Sequence, residues 1–309
     1  MKLKLLFYLS VFIFLSCVSS SRAQQSNTTV GNGTAPTTNG AFNSFFGENS
    51  GQNNQVGKFN SAFGSNSLSN SIDGNNNVAI GSESLRMLIG TDGIQNGGSN
   101  NTAVGYRSMG SSVRATNSVA LGYECMAMSL VSNQSVGIGY QSLYSNNAIN
   151  IGIGYRAGFL NNTGTRNIFL GWMSGYVNEG SDNTFLGNSS FRNNTTGSNN
   201  IGVGNLAGFA NTTGSNNIFL GKGHYAYNEG GTGSGNIVIG NNIVLPDYSA
   251  DNCIMLGDGG HNKNAGTIRF FINNLGNAGI GTVTPKSRLE IKSDFNSPSP
   301  SGLRLTNLT

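Results

Sequence analysis

Histidine is almost missing from this chain: His224 and His261 are the only two in 309 residues, and neither has an acidic cluster beside it. That removes the usual metal-ligand spacings and any nucleophile–base pair built on imidazole. Cysteine is nearly as scarce. Cys17 lies in the N-terminal leader, and Cys125 and Cys253 are too few for a disulfide framework or a structural zinc site. Only 10% of residues are charged, and the 13 acidic ones are scattered singly. Their densest set, Asp247, Asp251 and Asp258, reads as solvating a loop. Glycan-cleaving solenoids stay open as a reading but need acidic or basic residues converging on one face, which single scattered acids do not favour, and calcium-binding rolls need an Asp in every coil, which is absent. The residues predict no enzyme, no metal and no cofactor.

The formal net charge of +4 does not imply nucleic acid. Lys2, Lys4 and Arg22 belong to the leader, leaving 17 − 3 = 14 basic residues against 13 acidic ones, with no basic run to track phosphates. Ala, Leu, Glu and Lys are too few for a helical bundle or a doubly wound enzyme. Gly (46) and Asn (47) stand in their place, and both favour turns over helices.

Residues 1–23 read as a signal peptide, with a basic start, an apolar stretch from Leu5 to Leu15 and a small-residue exit at Ser21-Arg22-Ala23. Cys17 offers a competing lipoprotein signal, but Phe14 and Leu15 suit it poorly. Either way the product leaves the cytoplasm. Residues 24–42 hold almost nothing to bury and read as a flexible low-complexity spacer.

A short phrase then recurs: NSFFG at Asn43, NSAFG at Asn60, NVAIG at Asn77, NTAVG at Asn101, and so on to NAGIG at Asn277. Its closing glycines run from Gly47 through Gly64, Gly81 and Gly105 to Gly257 and Gly281. Eight of their thirteen intervals are 17 residues. So short and persistent a period signals a solenoid over 43–283. The residue before the glycine is apolar in every copy, and the one two places earlier often is, as at Val78, Ile151, Ile168 and Ile201. Such alternation means a strand, and these two columns are expected to form a thin inner row. The residue between them is Ala or Gly from Ala62 to Gly152 and then Phe at Phe169, Phe185 and Phe219. Three residues after the glycine runs a column of small residues, Ser50, Ser67, Ser84, Ser108, Cys125, Ser142, Ala157, Ser174, Ser190 and Ala207. It is expected to lie on a second strand, giving two strands of about five residues per coil. About fourteen parallel coils would make an all-β rod on the order of 60 Å long.

The phrase resembles the head repeats of YadA-like trimeric autotransporter adhesins, and similar phrases occur in tail-fibre-like proteins and in surface proteins of the Bacteroidota. The terminal GNAGIGTVTPKSRLEI resembles a segment that often ends such heads. The resemblance implies a left-handed β-roll, a homotrimer and an adhesive or structural role at the cell surface, associated with the outer membrane. The 17-residue coil is longer than that family's usual one. Neither a heptad stalk nor a transmembrane anchor pattern is read before Thr309, and residues 284–309 read as a neck in which Leu289 and Ile291 alternate with charge in a short half-exposed strand.

One stripe invites a binding role. The residue after the glycine is Tyr106, Tyr123, Tyr140, Tyr155 and Trp172 in five successive coils, with Arg107, Glu124, Gln141 and Arg156 beside them. Stacking would align these rings into a ladder. They could pack against one another or an adjoining subunit, or they could hold sugar rings. The two readings of function are therefore a non-catalytic adhesive head and a carbohydrate-binding or carbohydrate-acting solenoid. Cys125 and Cys253 are expected to be small buried residues far apart along the rod. Long intervals at Arg86–Asn100 and Gly259–Gly276 mark insertions, the second carrying a strand-like IRFFIN that could close the stack.

Overall fold

The structure is a computed structural model in which residues 27–34, 40–87, 98–223, 230–243, 249–258 and 268–292 are described. The leader, much of both insertions and residues 293–309 lie outside them. No helix occurs among the described residues. The molecule is a parallel β-solenoid.

Fourteen strands of three or four residues, from Thr28–Val30 to Ile254–Gly257, pair in parallel, each with the strand one coil further on. The register places equivalent phrase positions side by side, as in Ser61 on Val78, Ala62 on Ala79 and Phe63 on Ile80. Thirteen steps of about 4.8 Å give a length of about 60 Å.

The two ends differ from the count made on sequence. The ladder starts inside 24–42, the stretch read as a spacer, because Asn27-Thr28-Thr29-Val30-Gly31 is a further copy of the phrase. Its three strand residues are exposed, but the Thr28 N–H donates to the Asn43 carbonyl at 2.8 Å, so backbone pairing substitutes for burial. At the other end, the phrase at Asn277 is not a coil of the parallel stack. Ile268–Ile272 pairs antiparallel with Ile254–Gly257 on one side and with Ala278–Ile280 on the other, closing the ladder as the IRFFIN segment suggested. Leu289–Ile291 then adds in parallel to Ala278–Ile280 as a half-exposed strand.

The second strand of five residues does not form. The second and fourth residues after each closing glycine adopt left-handed backbone angles, such as Glu83 (φ 56°) with Leu85 (φ 48°) and Glu124 (φ 50°) with Met126 (φ 51°). Backbone in that region cannot continue a strand, so this side of the coil is a run of turns. Among the described residues it carries only two small sheets, Arg114–Thr116 with Val131–Asn133 and Ser145–Asn146 with Leu160–Asn161. The turns still stack, with the Leu68 N–H donating to the Ser84 carbonyl at 2.9 Å and Leu85 to Ser108 at 3.0 Å. The small column lies buried between the two left-handed positions. Its hydroxyls donate to the next strand's central carbonyl, as in Ser84 to Ala103 (3.0 Å) and Ser174 to Phe185 (2.9 Å). Ending each strand, a residue such as Gly122 (φ 144°) has room for no side chain, since a Cβ there would sit 2.3 Å from the Gly139 carbonyl oxygen.

The core is the reverse of the expectation. The central strand residue points inward, and Phe45, Ala79, Ala103, Phe169, Phe185 and Met255 are all buried. Facing it is the fourth residue after the preceding glycine, a column not singled out from sequence. The two sizes complement one another over much of the stack: Leu68 with Ala79, Leu85 with Ala103, Met126 with Gly137, Leu143 with Gly152, Gly158 with Phe169 and Phe191 with Gly202, while Gly51 leaves room for Phe45, Gly175 for Phe169 and Phe185, and Gly208 for Phe191. Each of the six offset pairs holds one large side chain. Two β-branched columns would not fit so narrow an interior, so the residues at both ends of the strand face outward.

Asparagine opens the phrase for a structural reason. Asn43, Asn60, Asn77, Asn167, Asn183, Asn200, Asn217 and Asn236 are buried. Each amide oxygen accepts the backbone N–H of its counterpart in the next coil, as Asn200 does from Asn217 at 2.9 Å. Each amide nitrogen donates to a corner carbonyl, as Asn200 does to Gly214 at 2.9 Å. Ser118 and Ser135 keep the same chain of bonds through their hydroxyl oxygens. A second buried file, Asn161, Asn178, Asn194 and Asn211, runs along a corner at 2.7–2.9 Å between successive amides. These files satisfy polar groups that so narrow a core could not otherwise bury.

Candidate binding face

The five predicted aromatic residues come together as a ladder. Ring centroids are 5.3 Å apart for Tyr106–Tyr123, 5.2 Å for Tyr123–Tyr140, 5.3 Å for Tyr140–Tyr155 and 6.0 Å for Tyr155–Trp172. The last three pairs lie within 10° of parallel. The coil spacing dictates this, because a turn residue repeated every coil recurs at nearly the strand-to-strand distance. The rings therefore lie face to face along the rod, and their edges and hydroxyls meet solvent. All five remain 37–45% exposed.

Arg107, Glu124, Gln141 and Arg156, predicted to flank the ladder, form a chain of contacts with one another. Arg107 bridges Glu83 (3.5 Å) and Glu124 (3.6 Å), Gln141 Nε2 donates to Glu124 at 2.8 Å, and Arg156 Nε donates to Gln141 Oε1 at 2.8 Å. The Glu124 carboxylate is the first cause pushing the Tyr123 hydroxyl above its ordinary pKa, since a phenolate beside it would meet like charge.

A second ladder escaped the sequence reading. Tyr144, Phe159 and Tyr176 stack at 5.0 and 5.2 Å. They occupy the fifth position after the closing glycine in three successive coils, a column that comparison at fixed offset would have revealed. Arg156 lies between the two ladders, its guanidinium carbon 5.3 Å from the Tyr155 ring centre and 5.1 Å from that of Phe159. Arg192 covers the end of the second ladder, 5.7 Å from Tyr176. Both distances suit cation–π attraction.

Other candidates remain separate. Cys125 is buried, its thiol pushed up to about 12 chiefly by loss of water, and Cys253 is buried in the phrase-opening file. Eight coils part the two, so no bond joins them. Asp251 accepts the Ser234 N–H and Asp258 pairs with Arg269 at 2.6 Å, while Asp247, His224 and His261 lie outside the described residues. No group of three metal-ligating side chains occurs among the described residues. Nor is any helix among them long and apolar enough to cross a membrane. An open polar groove lined by Asn75, Asn76, Ser99, Asn100, Thr116 and Asn117 lies at another corner.

The strand face differs in kind. Phe63, Ile80, Ile138, Leu170, Val203, Ile239 and Leu256 form one column of exposed apolar side chains, and Ile151, Ile168 and Ile201 belong to a parallel one. Comparison of the chain with protein-family models, curated proteins and solved structures finds no match.

Proposed function

We propose that the chain is a non-catalytic rod that serves outside the cell as an adhesive or structural head, assembled from three copies through its apolar strand face. The observation that carries this is the face itself. The column before the glycine is apolar along the whole ladder and the other is so except at Thr28, Ser44, Ser61, Thr102 and Thr184, and at 36–44% exposure for the larger members they leave on the order of 1,000 Å² of apolar surface in water. Soluble monomers rarely leave more than a few hundred Å² uncovered in one patch, whereas interfaces of stable complexes bury this much or more. A flat face with a regular repeat complements another copy of itself, and closed rotational assembly covers every copy equally. Three is the number that the likeness to YadA-like heads implies. The leader supplies export, and three repeats of each weak contact raise avidity.

Replacing Ile151, Ile168 and Ile201 together by Lys tests the face. These side chains point to solvent in the single chain, so the coils should fold with unchanged circular dichroism while light scattering shows the assembly falling to single copies. A triple variant that keeps the assembled mass would remove the face from the interface.

A second reading, a carbohydrate-binding solenoid, is favoured by one observation. The ladder from Tyr106 to Trp172 stays exposed and uses none of the strand residues of the apolar face.

A further inference from the structure

We propose that the strip along the two aromatic ladders binds a linear acidic polysaccharide, with Arg156, between the ladders, and Arg192, at the end of the second, as its anion-holding groups. This rests on the carbohydrate-binding reading and narrows its ligand class. It is independent of how the strand face assembles.

The first reason lies in ring orientation. Within the first ladder the ring faces are turned toward one another, and the outward parts are edges and a row of Tyr hydroxyls. An aromatic edge is the positive part of the ring quadrupole, and a phenol hydroxyl donates a hydrogen bond. Such a surface attracts acceptor oxygens and anions more than it offers platforms for the flat faces of neutral sugars.

The second reason is unspent charge. From Glu83 to Arg192 the turn columns carry Arg86, Arg107, Arg156 and Arg192 against Glu83 and Glu124, a balance of 4 − 2 = +2. Arg86 and Arg107 are within salt-bridge reach of those two carboxylates. Arg156 uses its Nε on the neutral Gln141, and Arg192 makes no ion pair among the described residues. Both residues are half-buried and their guanidinium groups lie 5.1–5.7 Å from ring centres, which fixes their direction. A fork of N–H donors held in this way suits a carboxylate or a sulfate in two-point contact.

Spacing supplies the polymer. Arg156 follows Gly154 and Arg192 follows Gly187, two coils further on, so the two cations are about 10 Å apart along the rod. That is close to the length of a disaccharide in an extended chain, so a glycan with an acid group on every sugar or every second sugar can set two of them against the two cations. Between the two cations lie Tyr155 and Trp172 of the first ladder and Tyr176 of the second, whose polar edges would bond the intervening sugar, and the hydroxyls of Tyr140, Tyr123 and Tyr106 continue the row beyond Arg156.

The experiment is calorimetric titration of the whole protein with oligogalacturonate, neutral cellohexaose and a single-stranded DNA of matching charge. Oligogalacturonate is expected to bind at least about tenfold more tightly than either of the others. The pair of changes Arg156→Gln and Arg192→Gln should weaken it about tenfold or more, while Arg114→Gln, on another side of the coil, leaves it unchanged. If Arg156→Gln lowers the melting temperature, Arg192→Glu alone gives the same test, because that side chain only caps a ladder end. Equal binding of cellohexaose and oligogalacturonate would overturn the acidic class and leave the carbohydrate reading standing. Absence of both would remove the two together. Equal binding of DNA, or undiminished binding by the double variant, would also overturn the proposal.

Discussion

The size complementarity inside the rod makes a sharp prediction at Gly202. In its pair the large side chain is Phe191, whose ring stacks on Phe185 at 4.4 Å and meets Phe219 edge-on at 5.4 Å. A Cβ on Gly202 would lie 2.5 Å from Phe191 Cδ2 and 2.6 Å from Ser190 Oγ, so the ring must retreat by about 1 Å into filled space. Gly202→Ala should therefore cost about 1–3 kcal/mol by overpacking. Phe191→Leu should cost about 1–2 kcal/mol through lost contact and a small cavity. Together they recreate the Leu-on-Ala pairing already present at Leu68 with Ala79 and at Leu85 with Ala103. The left-handed backbone at 191 is no obstacle, since Leu68 (φ 50°) and Leu85 (φ 48°) adopt it. Nor is the neighbouring hydroxyl, because Ser84 sits beside Ala103 in the same relation. The double variant should thus be more stable than the sum of the single changes by about 1–2 kcal/mol, as contacting residues couple. Urea-unfolding midpoints of the four proteins measure this, each assembled to the same state so that association does not differ. Additive losses would refute the rule of one large side chain per pair.

Asn200→Ala should destabilise by about 1–3 kcal/mol, because it strands the buried Asn217 N–H and takes one of two donors from the Gly214 carbonyl, which keeps the Asn211 amide. Asn200→Ser should cost clearly less, as Ser118 and Ser135 accept the same bond elsewhere, and chemical denaturation ranks the two. Cys125 should resist iodoacetamide at pH 8 in the folded protein and react once it is unfolded; fast labelling of the native form would contradict its burial. Because its folded pKa of about 12 lies above the ordinary thiol value of 9.0, its share of stability is whole below pH 9 and is lost as pH rises toward 12. Cys125→Ser should flatten that alkaline fall in melting temperature.

The period was legible because Gly closes each strand where no Cβ fits, so its positions repeat without exception from Gly47 to Gly257. The aromatic ladder was legible for the same reason: a fixed offset from that glycine stays on one side of every coil. Which side faced inward was not. Strand alternation divides residues into two sets without saying which is enclosed, and the apolar columns at both strand ends invited the wrong choice. The deciding residues, Leu68, Met126, Phe191 and Gly158, stand outside the strand, at left-handed positions that no propensity assigns to Leu, Met or Phe. Their meaning emerges only in pairs, each against the strand residue of the following coil. Thr28–Val30 was missed because its side chains are exposed and only its backbone bonds hold it. The second aromatic file and Arg192 were missed because their column is aromatic in only three successive coils and reads Gln52, Ser69, Arg86, Gly110 and Ala127 before them, so nothing short of comparison at that offset picks it out.

The claim that the apolar strand face is covered by two further copies is tested most directly by sedimentation equilibrium of the purified wild-type protein over a wide dilution range. The account predicts a mass of three chains that persists on dilution. A stable single chain, soluble with Ile151, Ile168, Ile201 and their neighbours in water, would contradict it.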